Sequence, residues 1–169
     1  MQYKWTHKPI LVKEIADLLL TDKKGLYLDG TLGLGGHTKY FLNLLDKEAK
    51  IIGFDKDVNA LEMAKNNVAD NRLIPIHASY LDAPKELEGL GLLGQVQGAL
   101  FDLGLSSYQL DDASRGFSFM KEGPLDMRFD NTKGKTASDI INTYPADELE
   151  KIFYIQYCKL TLTKQLEDL

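Results

Sequence analysis

Cysteine is almost absent from this chain of 169 residues: the single Cys158 cannot form an internal disulfide, so a reducing compartment is expected. No apolar run approaches the ~20 residues needed to cross a bilayer, so no membrane span is predicted. Met1 to Thr6 leads straight into charged and polar residues without the apolar core of a secretory signal, and the cytoplasm is the expected location. Positive charge is in deficit: the formal net charge is -5, which argues against broad, non-specific binding to nucleic acid while leaving room for a local patch or a folded single-stranded RNA. Metal-ligand spacing is missing, because His7, His37 and His77 lie far apart and Cys158 is isolated; no metal site is expected. Nothing beyond scattered serines suggests a nucleophilic triad, and there are no internal repeats or low-complexity segments.

Hydrophobic residues at 44% and charged residues at 27% fit a globular protein of ordinary domain size. Val12 to Leu20 is apolar at most positions and reads as a helix packed on one broad face. Leu26 to Leu28 is a short strand, and Thr38 to Leu45 carries Phe41, Leu44 and Leu45 at helical spacing. Lys50 to Phe54 is a second strand ending at Asp55, with Asp57 as the N-cap of a helix whose apolar positions are Val58, Leu61, Ala64 and Val68. Arg72 to Ile76 is a third strand, and its Pro75 predicts an edge position. Ser79 to Leu90 is partly helical, and Gly98 to Phe101 is a fourth strand ending at Asp102. Alternating strands and helices predict an α/β fold with a parallel sheet covered on both faces.

Ligands in such sheets bind at the carboxyl ends of the strands, and Asp29, Asp55, His77 and Asp102 all fall there. The stretch Asp29-Gly30-Thr31-Leu32-Gly33-Leu34-Gly35-Gly36-His37 joins the first strand to its helix. Glycines there let a ligand approach the backbone closely. Their spacing departs from the dinucleotide pattern G-x-G-x-x-G, since Thr38 stands where the last glycine belongs. Asp29 would repel a pyrophosphate and suits the ammonium group of a methionine moiety, so S-adenosylmethionine is the preferred cofactor over NAD. Asp55, about 20 residues beyond the glycines, is placed to hold ribose hydroxyls, with capping of the next helix as the plainer role. His37 either donates to a ligand or caps the turn, and His77 satisfies backbone at its strand end. Tyr80 either stacks on adenine or is a core tyrosine. Asp102, next to the first strand in a doubly wound sheet, either orients an amine and shares its proton as a catalytic group or bonds to loop backbone.

After Asp102 the periodicity fades. Leu103 to Thr136 is too rich in Phe and Met to be disordered, and a loop this long in a compact domain is usually functional. Arg115, Phe117 and Arg128 could meet the phosphates and bases of RNA; the plainer reading is a loop folded on itself with internal ion pairs. Thr136 is expected to cap a short helix through Ile141, and Pro145 to open another with Leu149, Ile152 and Phe153 on one face. Cys158 to Leu169 fits strand or helix equally.

The segments His7-x-Pro9-Ile10-Leu11, Asp29 to His37, Gly53-Phe-Asp55-Lys-Asp57, Phe101-Asp102-Leu-Gly-Leu-Ser-Ser107, Gln109-Leu-Asp-Asp112, Arg115-Gly-Phe-Ser-Phe119 and Gly123-Pro-Leu-Asp-Met-Arg128 together resemble the MraW family of bacterial ribosomal RNA methyltransferases. The resemblance runs in order from about His7 to Phe153. It implies a Rossmann-like class I S-adenosylmethionine-dependent fold, with a cofactor-binding core over residues 1–108 and part of an inserted, largely helical subdomain over 109–169. It implies methyl transfer to the exocyclic N4 of a cytidine in 16S ribosomal RNA of the small subunit, near the decoding site. Matching cofactor positions are Gly35, Gly36, His37, Asp55, Tyr80, Asp102 and Gln109, to which the residue-level reading adds Asp29 and Gly33. A homodimer is left open. After Ile152-Phe153 the chain leaves the family pattern and stops at Leu169, where a full member is nearly twice as long. The sheet is therefore expected to be incomplete after the fourth strand, with apolar surface exposed around it, and the chain alone to be a poor enzyme or a non-catalytic, cofactor-binding fragment.

Overall fold

The computed structural model describes residues 9–155. These divide between Gln109 and Leu110 into two compact units.

In the first unit, α1 (Val12–Leu19), β1 (Leu26–Asp29), α2 (Gly36–Leu44), β2 (Lys50–Asp55), α3 (Val58–Val68), β3 (Leu73–His77), α4 (Ala83–Gly89) and β4 (Val96–Leu100) follow one another. The four strands form one parallel sheet in the order β3-β2-β1-β4, a Rossmann-like half-sheet. Pro75 lies in β3, at one edge, as its missing N–H requires. β4 is the other edge, beside β1.

Alternation along the strands sends successive side chains to opposite faces. Tyr27, Ile51, Leu73 and Leu100 join Ala16 of α1, Phe41 and Leu42 of α2, and Leu61, Ala64 and Val68 of α3 in one core. Leu28, Ile52 and Phe54 join Ala83 and Leu87 of α4 in the other. β2 is therefore buried on both faces, which explains its unbroken apolar run. Asp57 caps α3 as expected, its carboxylate accepting from the Asn59 and Ala60 N–H groups. Arg72 closes the far end of α2 by donating to the carbonyls of Leu42 and Leu45 while paired with Asp70. The expected apolar exposure beside β4 is present: Phe101, Leu103 and Leu105 are 47%, 68% and 43% exposed.

In the second unit the long segment contains structure that periodicity did not predict. α5 (Ser107–Asp111) runs across the division, and a 3-10 turn (Ala113–Arg115) follows it. Thr136 opens α6 (Ala137–Thr143) with a full capping box, in which its hydroxyl accepts from the Asp139 N–H and the Asp139 carboxylate accepts from the Thr136 N–H. A further helix, α7, covers residues 146–155. Pro145 is not its first residue, as the sequence suggested. It stands one position earlier, where its carbonyl accepts from the Glu148 and Leu149 N–H groups. Of the expected face, Leu149 is half-buried and Ile152 and Phe153 are exposed. His7 and Cys158 lie outside the described residues.

Candidate active site

β1 ends in Asp29, β2 in Asp55, and β4 leads into Asp102, so three carboxylate residues stand at the same end of three adjacent strands. The turn after β1 fills the space between them. The Leu32 N–H donates to the Phe54 carbonyl and the Gly30 N–H to the Leu100 carbonyl, tying the turn to both neighbouring strands. Gly33 and Gly35 have φ of +52° and +78°, the left-handed region that suits glycine. A Cβ on Gly35 would lie 2.6 Å from Val68 Cγ2, whereas one on Gly33 would meet nothing nearer than the Thr31 carbonyl at 3.8 Å. Gly35 is thus required by packing against α3, and the Gly33 side of the turn is open to a ligand.

Asp55 is half-buried; its Oδ2 accepts from the Gly33 N–H at 2.8 Å and its Oδ1 from the Asp57 N–H at 2.9 Å. The carboxylate holds the glycine turn directly, while capping of α3 falls to Asp57. Burial pushes the Asp55 carboxyl above its ordinary pKa, opposed by the N–H groups of Asp57 and Gly33. Asp29 is 3% exposed, with Oδ2 taking the Thr38 hydroxyl at 2.7 Å and Oδ1 the Thr31 N–H at 3.3 Å. Burial raises its pKa as well, against the hydrogen bond from Thr38. Its side chain therefore supports the turn from beneath, and a ligand on the open side would meet its charge rather than its atoms.

His37 is buried, and its Nε2 lies 3.0 Å from the Ile10 carbonyl. A carbonyl only accepts, so Nε2 carries the proton and the ring holds the segment before α1. Gly36 packs in the same place, where a Cβ would approach Pro9 Cδ at 3.2 Å. Tyr80 meets Phe101 edge to face at 5.2 Å, and a Cβ on Gly30 would strike the Phe101 ring at 2.3 Å and approach Tyr80 Cβ at 3.3 Å. Two aromatic rings thus gather above Gly30. Asp102 is exposed, and its N–H donates to the Thr31 hydroxyl at 2.7 Å, fixing the start of the loop after β4. Gln109 is 4% exposed, and its amide faces Asp57 and Ser106. His77, as expected, meets backbone, with Nε2 3.0 Å from the Lys56 carbonyl.

The sequence reading missed Thr31 and Thr38 and gave Asp57 too small a role. The threonines sit inside or beside the glycine stretch, but only the folded turn reveals that one steadies Asp29 and the other the β4 exit. The only signal for the wider role of Asp57 is its closeness to Asp55. Among the described residues, no group of three or more His, Cys, Asp or Glu side chains could hold a metal ion, and no helix is long and apolar enough to cross a membrane.

The three residues expected to touch RNA belong to the second unit, where they make internal contacts of the kind the plainer reading describes. Arg115 is 3% exposed; its guanidinium donates to the carbonyls of Arg128 and Phe129, both at 2.9 Å. Phe117 is half-buried, lying 5.4 Å from the Phe129 ring and beneath the Arg115 guanidinium. Arg128 forks onto both oxygens of Asp126 and also reaches the Gly134 carbonyl. Burial and two backbone carbonyls occupy Arg115 Nη2 in this arrangement. These residues fold the loop on itself.

The chain is 66% identical over 149 residues to the ribosomal RNA small subunit methyltransferase H of Elusimicrobium minutum (strain Pei191), an overlap covering 88% of this chain and 51% of that protein. It is 47% identical over 151 residues to the protein of the same name from Acinetobacter baylyi, covering 88% and 50%. The corresponding Thermobifida fusca protein is 44% identical over 154 residues, covering 88% and 46%. The chain spans about half the length of the curated relatives it matches. A model of the MraW methylase family matches residues 4–167, and the chain belongs to that family.

Proposed function

We propose that this chain carries the S-adenosylmethionine-binding half of a methyltransferase that modifies the exocyclic N4 of a cytidine in 16S ribosomal RNA. The observation that carries the reading is the set of three acids, Asp29, Asp55 and Asp102, at the ends of adjacent strands around an open glycine turn. Such a set attracts a sulfonium and an ammonium and repels a pyrophosphate. Family membership supports methyl transfer, and the relatives' names support the small ribosomal subunit as the source of the RNA.

The donor set fits the cofactor. Asp55 retains lone pairs after accepting from Gly33 and Asp57, and these can receive ribose hydroxyls. The open side of Gly33 lets a ligand lie against backbone. Tyr80 offers an aromatic ring that meets Phe101 beside Gly30. S-adenosylmethionine supplies, when bound, a methyl group already activated on a sulfonium. The chain's own contribution is alignment. A cytosine amine is a weak nucleophile because its lone pair is delocalised into the ring. The exposed carboxylate of Asp102 can accept a hydrogen bond from that amine, turn it toward attack and oppose its growing positive charge. The base must be single-stranded or flipped out to reach Asp102.

Calorimetric titration tests the cofactor. Binding of S-adenosylmethionine with no heat from NAD is expected, and tight NAD binding would overturn the reading. Incubation with labelled S-adenosylmethionine and undermethylated small subunits tests the transfer. Label in cytidine of 16S RNA supports the full activity; cofactor binding without label assigns the chain cofactor binding alone.

A further inference from the structure

The turn after β1 reaches the exit of β4 one residue at a time. The Gly30 N–H donates to the Leu100 carbonyl at 2.8 Å, the absent side chain of Gly30 makes room for the Phe101 ring, and the Thr31 hydroxyl takes the Asp102 N–H at 2.7 Å. In the last contact a side chain stands in the place of backbone. β1 and β4 pair in parallel up to Asp29 beside Leu100. Alternate residues of a paired strand bond to the same neighbour, so after Leu100 the next to reach β1 is Asp102. By then β1 has ended and the chain has turned into the glycine stretch. The Thr31 hydroxyl supplies the acceptor that the departing backbone no longer offers, and it carries the pairing one step past the end of the strand.

Thr31 also meets the acid on its other side. Its backbone N–H donates to Asp29 Oδ1 at 3.3 Å, so one residue contacts the carboxylate that ends β1 and the backbone of the acid that follows β4. Little else holds that second acid. Phe101 to Leu105 are all exposed, and among the described residues the bond to Thr31 is the one hydrogen bond they make. The bond ends on the Asp102 backbone, so it fixes where the residue stands and leaves its carboxylate available to a ligand. We infer that Thr31 is a positioning residue for Asp102: its hydroxyl sets that exposed carboxylate at a fixed place relative to Asp29 and the glycine turn. The consequence for ligand binding rests on the reading of Asp102 given above.

Two substitutions separate the hydroxyl from the rest of the side chain. Thr31→Val keeps its size and deletes the acceptor, whereas Thr31→Ser keeps the acceptor. Amide exchange without ligand reads the bond itself. In Thr31→Val the Asp102 amide should exchange about fivefold faster, the scale of one neutral hydrogen bond, while the amides of β1 and β2 keep their protection; Thr31→Ser should hold the Asp102 amide. Each variant is then titrated with S-adenosylmethionine, once with Asp102 present and once in an Asp102→Ala background. With Asp102 present, Thr31→Val should bind about fivefold more weakly and Thr31→Ser nearly as well as the parent. In the Asp102→Ala background most of the effect of Thr31→Val should vanish, because no carboxylate remains to be positioned. Four results would overturn the inference: an Asp102 amide that stays protected in Thr31→Val, protection lost throughout β1 and β2 as well, unchanged affinity once the bond is gone, or an equal weakening with and without the Asp102 carboxylate. If the parent chain does not bind S-adenosylmethionine, the cofactor reading fails by itself, and the exchange pattern still decides whether Thr31 holds the Asp102 backbone.

Discussion

Asp55 does two things that pull against each other. It holds the Gly33 and Asp57 N–H groups, which favours the charged carboxylate, and it sits in a desolvated place, which disfavours it. Asp55→Ala removes the acceptor for a ribose hydroxyl and frees the turn, so S-adenosylmethionine affinity should fall by ~1–3 kcal/mol in calorimetry. Unchanged affinity would place Asp55 outside the site. The two left-handed glycines separate strain from packing. Gly33→Ala meets no neighbour and should cost only the conformational penalty of about 1–2 kcal/mol. Gly35→Ala pays that penalty and also drives a Cβ toward Val68, so urea unfolding should show a clearly larger loss, roughly 3 kcal/mol. Equal losses for the two would refute the assignment of Gly35 to packing.

At the scale of elements, the capping box of α6 is the most local claim. Thr136→Ala deletes the hydroxyl that takes the Asp139 N–H, and the segment should lose about 1 kcal/mol, read as faster amide exchange over Ala137–Thr143. That helix was legible in the sequence because a Thr with an acid three positions on is a local signal. The four strands were legible for a similar reason: apolar runs bounded by Gly and Asp need no distant partner to be recognised. The neighbour relation of β4 and β1 followed from the doubly wound pattern and is what brings Asp102 beside the glycine turn. What the sequence concealed is where side chains spend their hydrogen bonds. Arg115 and Arg128 have the composition of an RNA-binding loop, yet carbonyls and an acid brought up by the folded loop occupy them. Likewise Gln109 lies near the site in sequence order, while its partner Asp57 is known only from the fold. The short α5 and the turn after it carry no periodic signal, since five residues are too few to display one.

At the scale of the whole molecule, the titratable groups give the two units different responses to pH. In the first unit Asp29 and Asp55 have raised pKa values, chiefly through burial. The folded state then binds protons more tightly than the unfolded chain in the window just above the ordinary value of 3.8, so stability falls as pH rises through that window and levels off above it. Asp70, in the same unit, has a lowered pKa from its hydrogen bond with Arg72; its contribution is present above 3.8 and lost as pH falls below it. In the second unit Asp126 and Asp139 have lowered pKa values. Asp126 is held low by Arg128 and Asp139 by Thr136, so their contributions are lost only on strong acidification, and solvent screening keeps that of the exposed Asp139 small. Mild acidification from neutral pH should therefore stabilise the first unit and leave the second nearly unchanged. Amide exchange, corrected for its intrinsic pH dependence, should slow in β1 and β2 between neutral pH and about pH 4.5 while α6 shows no such gain. Asp29→Asn relieves the burial of a charge, so in that variant β1 and β2 should gain protection at neutral pH and the difference between the two conditions should shrink. A first unit whose protection instead rises with pH would mean that the hydrogen bonds from Thr38 and Gly33 outweigh desolvation, and that these acids titrate below the ordinary value rather than above it.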